Sequence, residues 1–501
     1  MDAAATKALT EVHEGFRLSP RAVVMLTAVV GALVATRLLW DRFLDPFEDG
    51  YQNWWIGSVL AQTGRYEDPF SGMTRGNWLP GYTFMVAGFT GLFGSRIMPL
   101  LKGVNILFSL GTTGVVYALA RPKGRYVALL AVGLFVLSPT DVVISSFATA
   151  EALALFTTFL GVLLVERPLL GPRASIVVAS ATFAIASTLR YEVWGFLALY
   201  LGWTLASRSV GIRRVAILAG PAVAWVAFWW VWTSQYGFLP AIIVGQTSVD
   251  VQYKATIGLL PPLWSRLGTF FGFYFFYAPF ALLSMIWGLK RELRSPFTWI
   301  LFFFYGAEVV YTAANWGNPG PRYIHLTTPI VAIYSAEAIA WVRGWLRSRT
   351  QSARRWNAHA PAVVSLAISA GLVLLVLNPT PPPGTLLQGM QRAGAFLESR
   401  PLPAGKLLVS ESPIAAYYSG YPASRIIGSN SLSGNASVVD QYLLENVAYV
   451  VLVTVPYYRL RTLFPEQANG TNGNHLVLLY DATGPEYALG APRVLVFEVA
   501  P

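Results

Sequence analysis

Apolar residues come in long blocks along this 501-residue chain, and no other feature constrains its fold as strongly. From Ala22 to Trp40 the single charge is Arg37. As a helix rising ~1.5 Å per residue, that block is about 30 Å long, the thickness of a bilayer's hydrocarbon core. Hydrophobic residues make up 54% of the chain and charged ones 12%, whereas a soluble core is built from short amphipathic runs. The chain therefore reads as a polytopic α-helical membrane protein. Its 17 Trp and 24 Tyr suit a chain that crosses the interfacial zone many times. No small-residue cleavage site follows the first block, so it is expected to stay as an anchor, with Arg37 snorkelling near its far end. Cysteine is absent, which excludes disulfides, a thiol nucleophile and a thiolate metal site.

The formal charge of +11 is a topology signal rather than a nucleic-acid one. Nineteen of the 36 basic residues lie in the N-terminal tail or in short connections: Arg121 to Arg125, Arg167 to Arg173, Arg208 to Arg214, Lys290 to Arg294 and Arg343 to Arg355. The positive-inside rule assigns these to the cytoplasm. Spans are then expected near 22–42, 97–120, 126–140, 149–166, 174–190, 191–207, 214–234, 266–288, 296–313, 322–342 and 360–378. These are about eleven crossings, with the N-terminus cytoplasmic and the C-terminus external. The run from Leu79 to Phe93 is too short for a span and is read as a helix lying at the outer interface. The sequence shows neither inverted repeats nor broken spans. The outer face receives 43–96, 235–265, 314–321 and everything after Pro379.

That division gives a transmembrane domain over 1–378 and an external α/β domain over 379–501. In the tail, Leu386 to Ser399 and Val438 to Glu445 read as helices; Lys406 to Ser410, Tyr449 to Thr454, His475 to Tyr480 and Arg493 to Val499 read as strands. From Thr385 onward it carries seven Lys or Arg against eight Asp or Glu, which is no patch for nucleic acid or acidic lipid. Acceptor binding and structural capping both stand open for it.

Function is expected where charge meets the outer ends of the apolar blocks. Glu48 and Asp49 follow the first block as adjacent acids; they suit a general base and its neighbour, or equally a solvated cap. Arg190, Tyr191 and Glu192 lie where two blocks meet, and Glu151 starts another; a charge at hydrocarbon depth must be paired, so each serves either packing or a site. Arg322 and Tyr323 follow the rigid turn Asn315-Trp-Gly-Asn-Pro-Gly-Pro, where a guanidinium suits a lipid phosphate or an interface anchor. His325 lies three residues on and is expected to face the same cavity. In 235–265, Gln246, Asp250, Gln252, Tyr253 and Lys254 suit sugar hydroxyls and a phosphate, or plain loop solvation.

Taken together, these acids, their spacing and the late Arg-Tyr pair resemble the GT-C superfamily of integral-membrane glycosyltransferases, in particular the protein mannosyltransferase and lipid A aminoarabinose transferase branch. The resemblance implies that Glu48 and Asp49 stand for the family's acids in the first outer loop. It further implies that Glu151 matches the acid at the outer end of the fourth span, Thr188-Leu-Arg190-Tyr-Glu192 the Arg-x-Glu element, and Arg322-Tyr323 the residues near the donor phosphate. The family's basic-residue-Pro-Pro-Leu turn is replaced by Asn77-Trp-Leu-Pro80-Gly81-Tyr. The function implied is inverting transfer of a sugar from a polyprenyl-phosphate donor to a protein, lipid or envelope-glycan acceptor outside the cell membrane. Asp49 is expected as base, with Gly50 leaving room for the acceptor, and Arg322 as stabiliser of the departing phosphate. A divalent cation, Mg or Mn, held by Glu48, Asp49 and Glu151 is an open alternative to a metal-free mechanism. The competing classes are a transporter or flippase of a lipid-linked saccharide and a noncatalytic envelope assembly subunit.

Overall fold

The computed structural model describes residues 31–37, 48–70, 78–207, 211–234, 262–314, 322–349, 359–377, 386–455, 459–482 and 492–500. A helical segment over 31–37 is followed by α1 (Asp49–Thr63), α2 (Pro80–Phe93), α3 (Met98–Ala120), α4 (Arg125–Val136), α5 (Pro139–Ser146), α6 (Glu151–Glu166) and α7 (Pro172–Ser187). Next come α8 (Glu192–Ala206), α9 (Ile212–Thr233), α10 (Leu263–Tyr277), α11 (Ala281–Arg291), α12 (Pro296–Ala313), α13 (Thr328–Arg349) and α14 (Ala360–Leu377). Proline opens α2, α3, α5, α7 and α12 in their first turn, where its missing N–H costs nothing and its φ is already helical. Helices thus stand where the apolar blocks predict them. Among the described residues, Met98–Lys123 and Ile212–Thr233 are long and apolar enough to cross a membrane, and up to four spans result if each of two bent pairs counts as one. Large apolar side chains such as Val231, Trp264 and Phe275 are exposed on these helices, as lipid-facing surfaces require.

The bent pairs correct the expectation of unbroken spans. The block read at 126–140 is α4, and α5 starts at its last two residues and continues into the expected connection, meeting α4 at 56° across Ser138-Pro139; the block at 266–288 is α10 and most of α11, meeting at 84° across Pro279. Proline removes a donor and collides with the preceding turn, so a helix breaks there. The two breaks touch: the Thr140 hydroxyl donates to the carbonyl of Tyr277 at 2.9 Å, which satisfies a group freed by the second break. Arg37 is a further correction. It does not snorkel but is fully buried in an ion pair with Asp141, and it also donates to Ser145 Oγ (3.0 Å) and to the carbonyl of Val136 (2.9 Å). Ser109 donates to the same Asp141 carboxylate at 2.9 Å.

After α15 (Leu386–Glu398), a five-stranded sheet forms from β1 (Leu407–Ser410), β2 (Ile426–Gly428), β3 (Val447–Val453), β4 (Leu476–Asp481) and β5 (Val494–Val499), in the order β2-β1-β3-β5-β4. β1 is parallel to both its neighbours, while β5 is antiparallel to β3 and β4. β3 is buried along its whole length, as its unbroken apolar run demands. The sequence reading missed β2, which is only three residues long. This unit sits directly on the first loop. The indole of Trp55 donates to the carbonyl of Ala423 (3.4 Å), Trp54 meets the Tyr417 ring edge-on at 5.0 Å, and Arg96 pairs with Glu398. The Gly428 N–H donates to the carbonyl of Pro69 at 2.8 Å. A Cβ on Gly428 would lie 2.5 Å from that oxygen and 2.7 Å from the Phe70 Cα, both backbone atoms that cannot swing aside. Gly428→Ala is therefore expected to undock the sheet from 48–70, read as faster amide exchange in β2 and α1 and as cleavage by protease between them.

Glu411, just after β1, is buried and pairs with no cation among the described residues. Its two oxygens accept from the N–H groups of Val453 (2.9 Å) and Leu460 (2.7 Å), and from Ser429 Oγ (3.2 Å). Burial pushes its carboxyl up to about 7 against these three bonds, from an ordinary 4.5. Between those values the folded chain holds a proton that the unfolded chain has released. Stability from this group is thus greatest below the unfolded value and is lost as pH rises toward 7, by roughly 3 kcal/mol. Thermal melts of the full chain from pH 5 to 8 should show this fall. Glu411→Gln should flatten the slope while lowering the overall level, because its amide group faces a backbone donor. An unchanged slope would assign the effect to another residue.

Candidate active site

The first turn of α1 carries Asp49, and the turn before α13 carries Arg322. The two side chains form an ion pair and are about one-fifth exposed. The Arg322 guanidinium lies over the Tyr323 ring, 5.1 Å from its centroid, and donates to the Tyr323 hydroxyl at 3.2 Å. Behind this pair stands a second one. Arg190, between α7 and α8, donates to Glu192 through Nε (3.1 Å) and Nη2 (2.6 Å), and its Nη1 reaches Glu151 Oε1 at 3.2 Å. The fork lets one guanidinium hold two carboxylates from different helices, which Lys could not do with the same geometry. Five charged residues from four separate stretches of the chain thus meet at one end of the bundle.

A narrow cleft lined by Asp49, Asn53, Tyr82, Glu151 and Arg190 joins the two pairs. About 10 Å³ of it is open to the centre of a water molecule, room for roughly one water and not for a sugar. Asn53, one turn after Asp49, donates to the Asp49 carbonyl at 2.9 Å and accepts from Thr83 at 3.3 Å, so α2 braces the start of α1. Glu48 is the N-cap residue of α1, where its carbonyl accepts from the Gln52 N–H at 2.8 Å. Gly50 does not open the site. A Cβ there would meet the Ala148 carbonyl at 3.2 Å and Met98 at 3.5 Å, so the glycine lets α1 pack closely instead.

His325 is fully buried in a 3-10 turn ahead of α13, and its Nδ1 bonds the Arg322 carbonyl. That bond sets the Arg322 backbone, while the ring lies in the electrostatic reach of Glu192, Glu151 and Arg190. Its Nε2 has no hydrogen-bond partner among the described residues. The sequence reading missed Glu308 on α12, a buried acid that accepts from the Tyr274 hydroxyl at 2.9 Å and feels the charge of Glu192. A lone acid in the apolar run of α12 was the signal for it. Asn53 and Tyr82 carried no such signal. Tyr253 and Lys254 lie outside the described residues, as do Gln246, Asp250, Gln252 and the turn 315–321. Among the described residues no three metal-binding side chains gather. Of Glu48, Asp49 and Glu151, the acids expected around a possible Mg or Mn, Asp49 pairs with Arg322 and Glu151 with Arg190 in this structure, while Glu48 is the N-cap residue of α1.

No family model and no curated protein matches the chain in sequence. Solved structures do match it in fold. ArnT from Cupriavidus metallidurans bound to undecaprenyl phosphate is 15% identical, with a TM-score of 0.59 over 96% of this chain and 98% of that one. Its apo state gives 16% identity and a TM-score of 0.55 over 95% and 99%. The Archaeoglobus fulgidus oligosaccharyltransferase tethered with an acceptor peptide gives 14% and 0.52, over 85% of this chain and 69% of that one. The fold resembles that of ArnT and of this oligosaccharyltransferase. The likeness to ArnT includes the C-terminal sheet, since nearly the whole of both chains aligns.

Proposed function

We propose that the protein is an inverting glycosyltransferase that moves a sugar from a polyprenyl-phosphate donor to an acceptor hydroxyl at the external membrane face. The observation that carries this is the Asp49–Arg322 pair at the mouth of a cleft backed by Glu151, Arg190 and Glu192. In this arrangement the Asp49 carboxylate occupies the place on Arg322 that a phosphate would take. Donor phosphate arriving at Arg322 and Tyr323 releases Asp49, which then faces the cleft as a carboxylate. The acceptor oxygen attacks the anomeric carbon from the side opposite the phosphate, its proton passes to Asp49, and the bond from that carbon to the phosphate oxygen breaks. Arg322 bears the charge that develops on the leaving polyprenyl phosphate. Arg190 holds Glu151 and Glu192 as the rigid back wall, and His325 fixes the turn that aims Arg322.

The finer reading places the chain in the branch of protein mannosyltransferases and lipid A aminoarabinose transferases, with 1–378 as the membrane domain, 379–501 external and the N-terminus cytoplasmic. The sheet's contacts with α1 support capping of the first loop as its role. Transport is favoured by one observation, the two broken helices that touch at Thr140 and Tyr277. The cavity at those breaks shares no lining residue with the acid cleft, so the breaks and the charged site are separate features. Purified protein incubated with defined polyprenyl-phosphate sugars and envelope acceptors, with the transferred sugar followed by mass, tests the proposal. Donor passage across a vesicle without covalent product would replace it by transport.

A further inference from the structure

α13 starts just after Arg322 and His325 and runs for 22 residues, so at ~1.5 Å per residue its last turn lies roughly 30 Å from the acid cleft, at the other end of the bundle. Cations gather around that end and rest on aromatic faces. The Arg343 guanidinium lies 4.0 Å from the centroid of the Tyr126 ring, in the first turn of α4, and its Nη2 is 3.4 Å from Nε2 of His359, where α14 begins. A guanidinium only donates, so the imidazole accepts and brings no second charge against it. Arg347 follows one turn on, along the same face of α13. Trp341, two residues before Arg343, looks out from the other side of the helix. There Lys290 lies 5.0 Å from the Trp341 centroid, and Arg291 lies 5.8 Å from that of Trp287 and 5.9 Å from that of Trp341. A cation seated on a ring keeps its outward donors open.

What this collar lacks is counter-charge. The acids nearest to it in sequence are Glu292 and Glu337, and both are taken by Lys123, at 2.9 Å and 2.7 Å. Among the described residues no acid pairs with Lys290, Arg291, Arg343 or Arg347. The connection from α13 to α14 supplies none, for the chain has no Asp or Glu between Glu337 and Glu398, and α4 is equally free of acids. Four cations therefore stand uncompensated at one end of an apolar bundle, beside Trp341 and Trp345, which are more than two-fifths exposed. Indole rings suit the level where an acyl chain meets its head, and Lys and Arg just beyond them suit anionic heads. We propose that this collar binds the phosphate heads of anionic membrane lipids, with Arg343 and Arg347 on one head and Lys290 and Arg291 on another. The site is separate from the acid cleft and does not rest on the transferase reading.

The test uses the full chain, delipidated and offered equal amounts of dioleoyl phosphatidylglycerol and dioleoyl phosphatidylcholine, with retained molecules counted by native mass spectrometry. Phosphatidylglycerol should be kept in preference. Replacing Lys290, Arg291, Arg343 and Arg347 together by Gln should weaken its retention by roughly tenfold or more, while Arg343→Lys with Arg347→Lys, which keeps the charge, should retain most of it. Phenylglyoxal modification of Arg291, Arg343 and Arg347, read by peptide mass, needs no substitution and so does not depend on how a variant folds. It should run more slowly in bilayers containing phosphatidylglycerol than in phosphatidylcholine alone. Equal retention of the two lipids, undiminished phosphatidylglycerol in the fourfold variant, or equal modification rates in the two bilayers would each overturn the proposal. Displacement of the lipid by millimolar inorganic phosphate would also overturn it, in favour of a site for the free ion.

Discussion

Asp49→Asn is expected to cut sugar transfer by roughly 10²- to 10⁴-fold, the usual worth of a positioned general base, while the protein's hold on polyprenyl phosphate stays the same or tightens. The second half of that expectation comes from the geometry. In the structure Asp49 sits on Arg322, so a donor phosphate must displace a carboxylate before it can be gripped. Asparagine keeps the shape and loses the charge, which removes the competitor along with the base. Arg322→Gln should do the opposite and lose donor binding and transfer together, and Arg322→Lys should recover only part because the paired donors of the fork are gone. Donor binding measured by native mass spectrometry, set against turnover measured by product mass, separates the two roles. Full transfer by Asp49→Asn would move the base elsewhere, with Glu308 the next acid to try. Loss of both binding and transfer in Asp49→Asn would show that the carboxylate serves to hold Arg322 in place.

How far the sequence could be read depended on whether the signal was local. The apolar blocks are local, and the helices from α3 to α14, apart from α5, stand close to where those blocks predict them. The strands of the outer sheet were legible for the same reason, except β2, whose three residues are too few to show a period of two. Pairings between distant residues were not legible. Nothing in Asp45 to Trp55 says that Asp49 will meet Arg322, and nothing near Arg190 says that Glu151 will share its guanidinium with Glu192. Two misreadings were local signals given too little weight. Pro139 and Pro279 each break a helix, but Pro279 sits inside an apolar run long enough for a span and Pro139 at the end of one, where it reads as a terminus rather than a bend. Arg37 looked like a snorkelling residue because it lies near the end of its block, and that reasoning assumed lipid on every side of the helix. Its partner Asp141 lies 104 residues away, between two of the expected spans.

That partnership carries the largest expected effect on stability. Arg37 and Asp141 are both essentially inaccessible to solvent, so removing either leaves a charge buried with no counterion. Arg37→Met alone and Asp141→Leu alone should each destabilise the protein by about 3–5 kcal/mol, seen as lower melting temperatures and poor recovery of monodisperse protein in detergent. The double variant removes both charges, and for an isolated buried pair it would return most of the loss. Here it should return only part, because Arg37 does more than neutralise Asp141. Its Nη1 donates to the carbonyl of Val136, the last residue of α4, so the guanidinium caps the helix end exposed by the break at Pro139. Without it that carbonyl is left in an apolar interior, at a cost of roughly 1–3 kcal/mol. Full recovery in the double variant would show that the break needs no cap. Partial recovery, with faster amide exchange confined to α4 and α5, would show that one arginine both closes a charge pair and holds a broken helix together.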